Sequence, residues 1–317
     1  MKKGLLVLAA VSLWTGVASA QEDIVGARAL GMGEAQRATA SGAEGPILNP
    51  STMALTRQYA IEAQYGIKIE GIGNNVNVAI IDSVTSKVAA GLAYTFVYAN
   101  PRLGYYWAGG KIRSAEITRT GHEAGLSLAL PLGDKFILGA TLKYLYFNTT
   151  APLPTGAIPG SLTLDHLNGI TFDVSALLRL GKFNIAAIGY NLWDHGSRET
   201  PLSLGLAIGF VPTQSFNINF DAVTNFTGYE TYRIDANGKV TFQSVVTGRL
   251  GGGMEYIIKQ RVPLRIGALY DTGNTSTYLT GGLGYLGQKV GIDLGYRGKV
   301  QGGMENFLMI GLRVFVN

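Results

Sequence analysis

The chain has 317 residues, and its 26 basic and 21 acidic side chains give a formal net charge of +5. Setting aside Lys2 and Lys3 of the leader leaves 24 basic residues and a net +3, a near balance that gives no basis for nucleic-acid binding. Charged residues make up only 15% of the chain, against roughly 25% in globular domains, and the lack of cysteine excludes disulfides and a lipidated cysteine anchor.

Residues 1–20 read as a signal peptide: Lys2 and Lys3, an apolar stretch from Gly4 to Val17, then the small-residue site Ala18-Ser19-Ala20. The apolar stretch is shorter than the roughly 20 residues a spanning helix needs. Export is therefore expected through the Sec pathway. Residues 21–57 have no clean period of two. Alanine and glycine dominate up to Asn49-Pro50-Ser51, with one short helix expected around residues 51–56.

From residue 58 to 317 the chain divides into fourteen segments, most of them apolar at every second position. They are expected near 58–69, 74–83, 87–98, 115–130, 135–148, 168–180, 183–192, 201–211, 215–223, 242–257, 262–271, 276–286, 288–298 and 305–316. Side chains alternate between the two faces of a strand. Val290, Ile292, Leu294 and Tyr296 thus form one face, and Gly291, Asp293, Gly295 and Arg297 the other. In the segment 183–192 the parity slips near Ala186-Ala187, where a bulge is expected.

Charges decide which solvent the apolar face meets. Glu123, Lys143, Asp173, Arg179, Asp221, Arg249, Glu255, Arg265, Asp293, Arg297 and Arg313 all fall on the small or polar face. A lipid-facing Arg or Lys costs about 2–4 kcal/mol at mid-membrane, so these charges line a polar lumen. The fold class is an all-β transmembrane antiparallel barrel of about 14 strands, with residues 21–57 as a plug in the lumen. Connections alternate short and long, with long ones at 99–114, 149–167 and 224–241, as outer-membrane barrels require. Two aromatic girdles are expected. Phe96, Tyr98, Tyr144, Tyr146, Tyr190, Trp193, Tyr270 and Tyr278 stand toward the outside, and Phe136, Phe183, Phe210, Phe216, Tyr256, Tyr285 and Phe315 toward the periplasm.

No catalytic chemistry emerges. His122, His166 and His195 are far apart without ligand-like spacing, so no metal is expected. Gly31-Met32-Gly33 has neither the preceding strand nor the following lysine of a phosphate loop. His122 beside Glu123 is too little for an outer-membrane hydrolase. No enzyme activity and no cofactor are expected.

The run Gly26-Ala27-Arg28-Ala29-Leu30-Gly31-Met32-Gly33, with Asn49-Pro50-Ser51 behind it, resembles the opening of the FadL-type outer-membrane transport family. Ser51 stands where that family usually has alanine, and Glu34 where small residues are common. The resemblance implies a fourteen-strand barrel whose periplasmic end is closed by a hatch containing Gly31, Gly33, Asn49, Pro50 and Ser51. It implies uptake of small hydrophobic compounds, fatty-acid-like or aromatic, in the Gram-negative outer membrane. Ile137, Leu145, Phe147, Leu177, Arg179, Arg249 and Arg265 are candidate lumen-lining residues. Partners are then outer-membrane lipid and lipopolysaccharide, a small hydrophobic ligand, and the barrel-assembly machinery during biogenesis. A docking barrel in a secretion or surface-motility machine, as in type IX secretion, is the alternative and would add protein partners. A general porin is the third reading.

Overall fold

The computed structural model describes residues 25–69, 73–108, 111–152, 161–197, 199–228, 230–234, 240–273, 275–301 and 305–316. The signal peptide expected over 1–20 lies outside them. The N-terminal segment holds two short helices, α1 (Ala27–Leu30) and α2 (Glu44–Leu48), and a 3-10 helix, Pro50–Ala54. The strands that follow are β1 (Tyr59–Lys68), β2 (Gly73–Asp82), β3 (Ala89–Ala108), β4 (Lys111–Leu132), β5 (Phe136–Pro152), β6 (Ser161–Leu180), β7 (Phe183–Tyr190), β8 (Ser203–Thr213) and β9 (Phe216–Asn225). Then come β10 (Glu230–Ile234), β11 (Val240–Ser244), β12 (Thr247–Ile258), β13 (Val262–Asp271), β14 (Ser276–Leu286), β15 (Val290–Lys299) and β16 (Asn306–Phe315).

All except β10 and β11 form one closed antiparallel barrel of fourteen strands, shut by the pairing of β1 with β16. Closure satisfies the backbone groups that lipid cannot. Among the described residues no helix is long and apolar enough to cross a membrane. The outward positions stay apolar and uncovered, as at Leu206, Phe220, Ile266 and Leu279. The inward positions beside them are polar or small, and buried: β15 alternates from Gly291 and Asp293 inside to Ile292 and Leu294 outside. The turns at one end are tight; Gly181 takes φ +64, a conformation that a two-residue hairpin demands and glycine supplies.

Three expectations change. First, β3, β4, β5 and β6 run 20, 22, 17 and 20 residues, so most of the loops expected at 99–114 and 149–167 are strand. These extensions leave the lipid zone, where no apolar face is needed and alternation fades. Second, the expected loop at 224–241 contains β10, which pairs with β11 as a separate hairpin, and the tenth barrel strand begins only at Thr247. Third, β7 has no bulge: Phe183–Gly189 pairs without interruption with β6 and Phe183–Tyr190 with β8. The parity looks slipped because its inward residues Ile188 and Tyr190 are large, packing on the N-terminal segment. Register shifts occur instead between Ala99 and Arg102, Thr149 and Thr150, and Phe210 and Thr213.

Candidate functional site: the lumen and its N-terminal insert

Residues 25–54 lie inside the ring of strands, and most of their side chains are buried. Glycine makes the fit possible. On the inward faces of β12, β13 and β15, a Cβ at Gly251, Gly253, Gly267 or Gly295 would stand 2.1–2.5 Å from the backbone of Ala27, Met32 or Gly33. The segment therefore rests main chain against main chain. Gly33 itself takes φ +65, and its N–H donates to Thr280 Oγ1 at 2.8 Å.

Around that contact runs a ring of buried ions. Glu34, also left-handed at φ 61, meets Arg249 at 2.9 Å and Arg297 at 2.5 Å. Arg28 meets Glu255 at 2.7 Å; Glu255 also holds Arg265 at 2.7 Å, which reaches Asp293 at 2.7 Å. Arg313 bonds Glu62 at 2.7 Å, and Glu62 accepts the Ala43 N–H at 2.9 Å. Arg37 faces Asp221 at 3.3 Å. Removing one partner of such a pair strands a charge in low dielectric at a cost of about 3–5 kcal/mol. The ring thus ties the segment's position to β1, β9, β12, β13, β15 and β16.

Glu44 sits beneath this ring with no exposed surface. Its carboxylate accepts the Ala29 N–H at 2.8 Å. Burial, with the neighbouring Glu62 charge, pushes its pKa up to about 7 against the opposing pull of Arg28, the Ala29 N–H and Arg313.

At the short-turn end the 3-10 helix closes the packing. Asn49 caps it: Oδ1 accepts from Ser51 N (3.1 Å) and Ser51 Oγ (2.6 Å), while Nδ2 donates to Arg37 O (2.6 Å). Pro50 follows at the first helical position, where its missing N–H costs nothing. The Ser51 hydroxyl therefore completes the cap. Ile137 and Leu177 are buried here in one cluster with Met53 and Ile188. Leu145 and Phe147 lie elsewhere, in a second inward cluster with Val97 and Leu167, against which Ile47 packs.

Between the levels is a cavity of about 50 Å³, bounded by Glu34, Arg37, Glu123, Lys143, Asp221 and Arg249 and by apolar groups including Ile47 and Leu269. Arg249 thus lines it and Arg265 lies in the ion ring. Arg179 shares the inward parity but is exposed at the end of β6, opposite Asn184. Two residues expected in the outer girdle, Tyr190 and Tyr278, are buried inside instead. Tyr190 accepts from Arg37 Nε at 2.8 Å and Tyr278 donates to Glu305 at 3.2 Å. Phe315 likewise shares the parity of Arg313. Tyr144, Trp193 and Tyr270, and Phe183, Tyr256 and Tyr285 at the opposite rim, are exposed as girdle residues are.

No protein-family model matches the sequence, and no curated protein does. Solved structures match over nearly the whole chain. The Ralstonia pickettii toluene transporter TbuX superposes with a TM-score of 0.69 at 13% identity, covering 92% of this chain and 98% of that one. The CymD monoaromatic hydrocarbon channel gives 0.69 at 16%, with the same coverage. A Pseudomonas aeruginosa FadL homologue gives 0.60 at 12%, covering 92% and 98%. The barrel has the FadL-type fold.

Sequence reasoning placed the lumen charges but not their partners in the segment, Arg28, Glu34 and Arg37. Their signal was present: with Glu44 they are the four charges of residues 25–54, a stretch rich in alanine and glycine. Among the described residues no group of three or more His, Cys, Asp or Glu is placed to hold a metal ion. His122 is hydrogen-bonded to Tyr94 Oη at 2.7 Å, His166 packs on Tyr146, and His195 bonds the free edge of β6 at Ile170 O at 2.9 Å.

Proposed function

We propose that this protein is an outer-membrane channel for the uptake of small hydrophobic compounds, fatty-acid-like or aromatic, with residues 21–57 as its hatch. The observation that carries the reading is the inward apolar cluster of Val97, Leu145, Phe147 and Leu167 beside a segment that rests in the lumen. A wide water channel gains nothing from such a cluster, whereas an apolar solute needs one. The fold shared with TbuX and CymD, described as a toluene transporter and a monoaromatic hydrocarbon channel, supports the same reading.

In this function the chain is exported through the Sec pathway, folded by the barrel-assembly machinery, and set with its short turns toward the periplasm. Lipid and lipopolysaccharide then surround its apolar belt. Ligand enters from the long-strand end, rests against the cluster, and moves on when the hatch shifts. Growth and uptake of a deletion strain on toluene and long-chain fatty acids test this directly. Slowed uptake of at least one compound, restored by the wild-type gene, is expected. Unchanged uptake across the panel refutes it.

A further inference from the structure

The lumenal cavity is lined by three charges of each sign, but one of them is left without a direct contact, and it names a ligand chemistry. Glu34 is held by Arg249 and Arg297, Arg37 by Asp221, and Lys143 by Asp173 at 2.9 Å and by Asn191 at 2.6 Å. Glu123 alone, among the charges lining the cavity, makes no hydrogen bond or ion pair within the described residues. It stands on the inward face of β4, opposite Thr95 of β3 and Leu145 of β5. Phe147 of the apolar cluster lies one step away on the same face, opposite Gly121.

A half-buried carboxylate without a direct partner keeps acceptor capacity that an incoming donor fills through a charge-assisted hydrogen bond. A cavity of about 50 Å³, at about 10–15 Å³ for each water-sized centre, holds about three to five waters. That is room for a polar head, not for a ring.

We propose that the lumen binds small amphiphiles whose head is a hydrogen-bond donor, an ammonium or a hydroxyl, with Glu123 accepting from the head. The apolar body lies on the face formed by Val97, Leu145 and Phe147, in the place Ile47 covers here. This rests on the channel reading above and narrows its substrate class: an apolar compound lacking a donor is the poorer ligand.

Three probes share one body: phenethylamine, 2-phenylethanol and ethylbenzene. Their binding to the purified full-length protein in detergent is measured by titration calorimetry for wild type, Glu123→Gln and Glu123→Leu, each first shown to be folded by its heat-modifiable gel mobility. At least one donor is expected to bind tenfold or more tightly than ethylbenzene. Glu123→Leu abolishes that preference and leaves ethylbenzene within about twofold, while Glu123→Gln keeps any advantage of the alcohol and loses that of the amine. Which donor shows the preference identifies the class. If ethylbenzene equals both donors in wild type, or if the preference survives Glu123→Leu, the proposal is overturned and the channel reading stands. If none of the three binds, the proposal is overturned, and the channel reading is decided separately by the uptake of the deletion strain.

Discussion

Replacing Gly295 by alanine puts the main-chain contact between the N-terminal segment and the wall to a severe test. The new Cβ would lie 2.1 Å from Ala27 O, and ordinary contact begins at 3.4 Å. Strand and helix α1 must therefore separate by about 1.3 Å, the difference between those distances. Such overpacking costs about 1–3 kcal/mol. The shift also strains the Ala27 N–H bond to Gln64 (3.2 Å) and the Arg28–Glu255 pair. Gly291→Ala is the control, since it lies on the same strand and face, yet its Cβ would meet nothing nearer than 3.6 Å. Hydrogen exchange of the amides of residues 27–34, read by mass spectrometry in detergent, reports how firmly the segment is seated. Exchange in Gly295→Ala should quicken about 5- to 150-fold, the equivalent of 1–3 kcal/mol. The control should match wild type. Equal exchange in the two variants would refute the claim that glycine is required for the segment to rest on the wall.

Glu44 gives a pH prediction. Its carboxyl is raised from 4.5 to about 7 in the folded protein, so the folded state keeps its proton between those values while the unfolded state loses it. Stability is then fullest below pH 4.5 and falls as pH rises to about 7, by about 3 kcal/mol at 1.36 kcal/mol per unit. Glu44→Gln should flatten this part of the urea stability–pH curve, and parallel curves for the two proteins would disprove the assignment. Leu206→Arg sets a charge on the lipid face, where the side chain is 52% exposed. It should destabilise the barrel in bilayers by about 2–4 kcal/mol in urea titrations. An unchanged midpoint would mean that this face does not meet lipid.

The barrel was legible because lipid imposes a strict rule on every spanning residue. Wherever Ile292 alternates with Asp293, or Phe220 with Asp221, the strand and its orientation follow from the sequence. The same rule lapses beyond the bilayer, which is why the far ends of β3 to β6 read as loops. It also misleads where the lumen is filled by protein. Ile188, Tyr190 and Tyr278 face inward because the segment or its ion partners receive them, and no periodicity reveals a neighbour so distant in sequence. Asn49-Pro50-Ser51 was readable as a capped turn from local chemistry alone. Glu123 was visible as a lumen charge, but its isolation emerges only once the other charges lining the cavity have been paired in space.

The ion ring also couples the closing seam of the barrel to the segment inside it. Arg313 on the final strand reaches Glu62 on the first, and Glu62 in turn accepts the Ala43 N–H of the N-terminal segment. One carboxylate thus serves both the clasp that shuts the cylinder and the anchor of what it encloses, so a change that loosens either loosens the other.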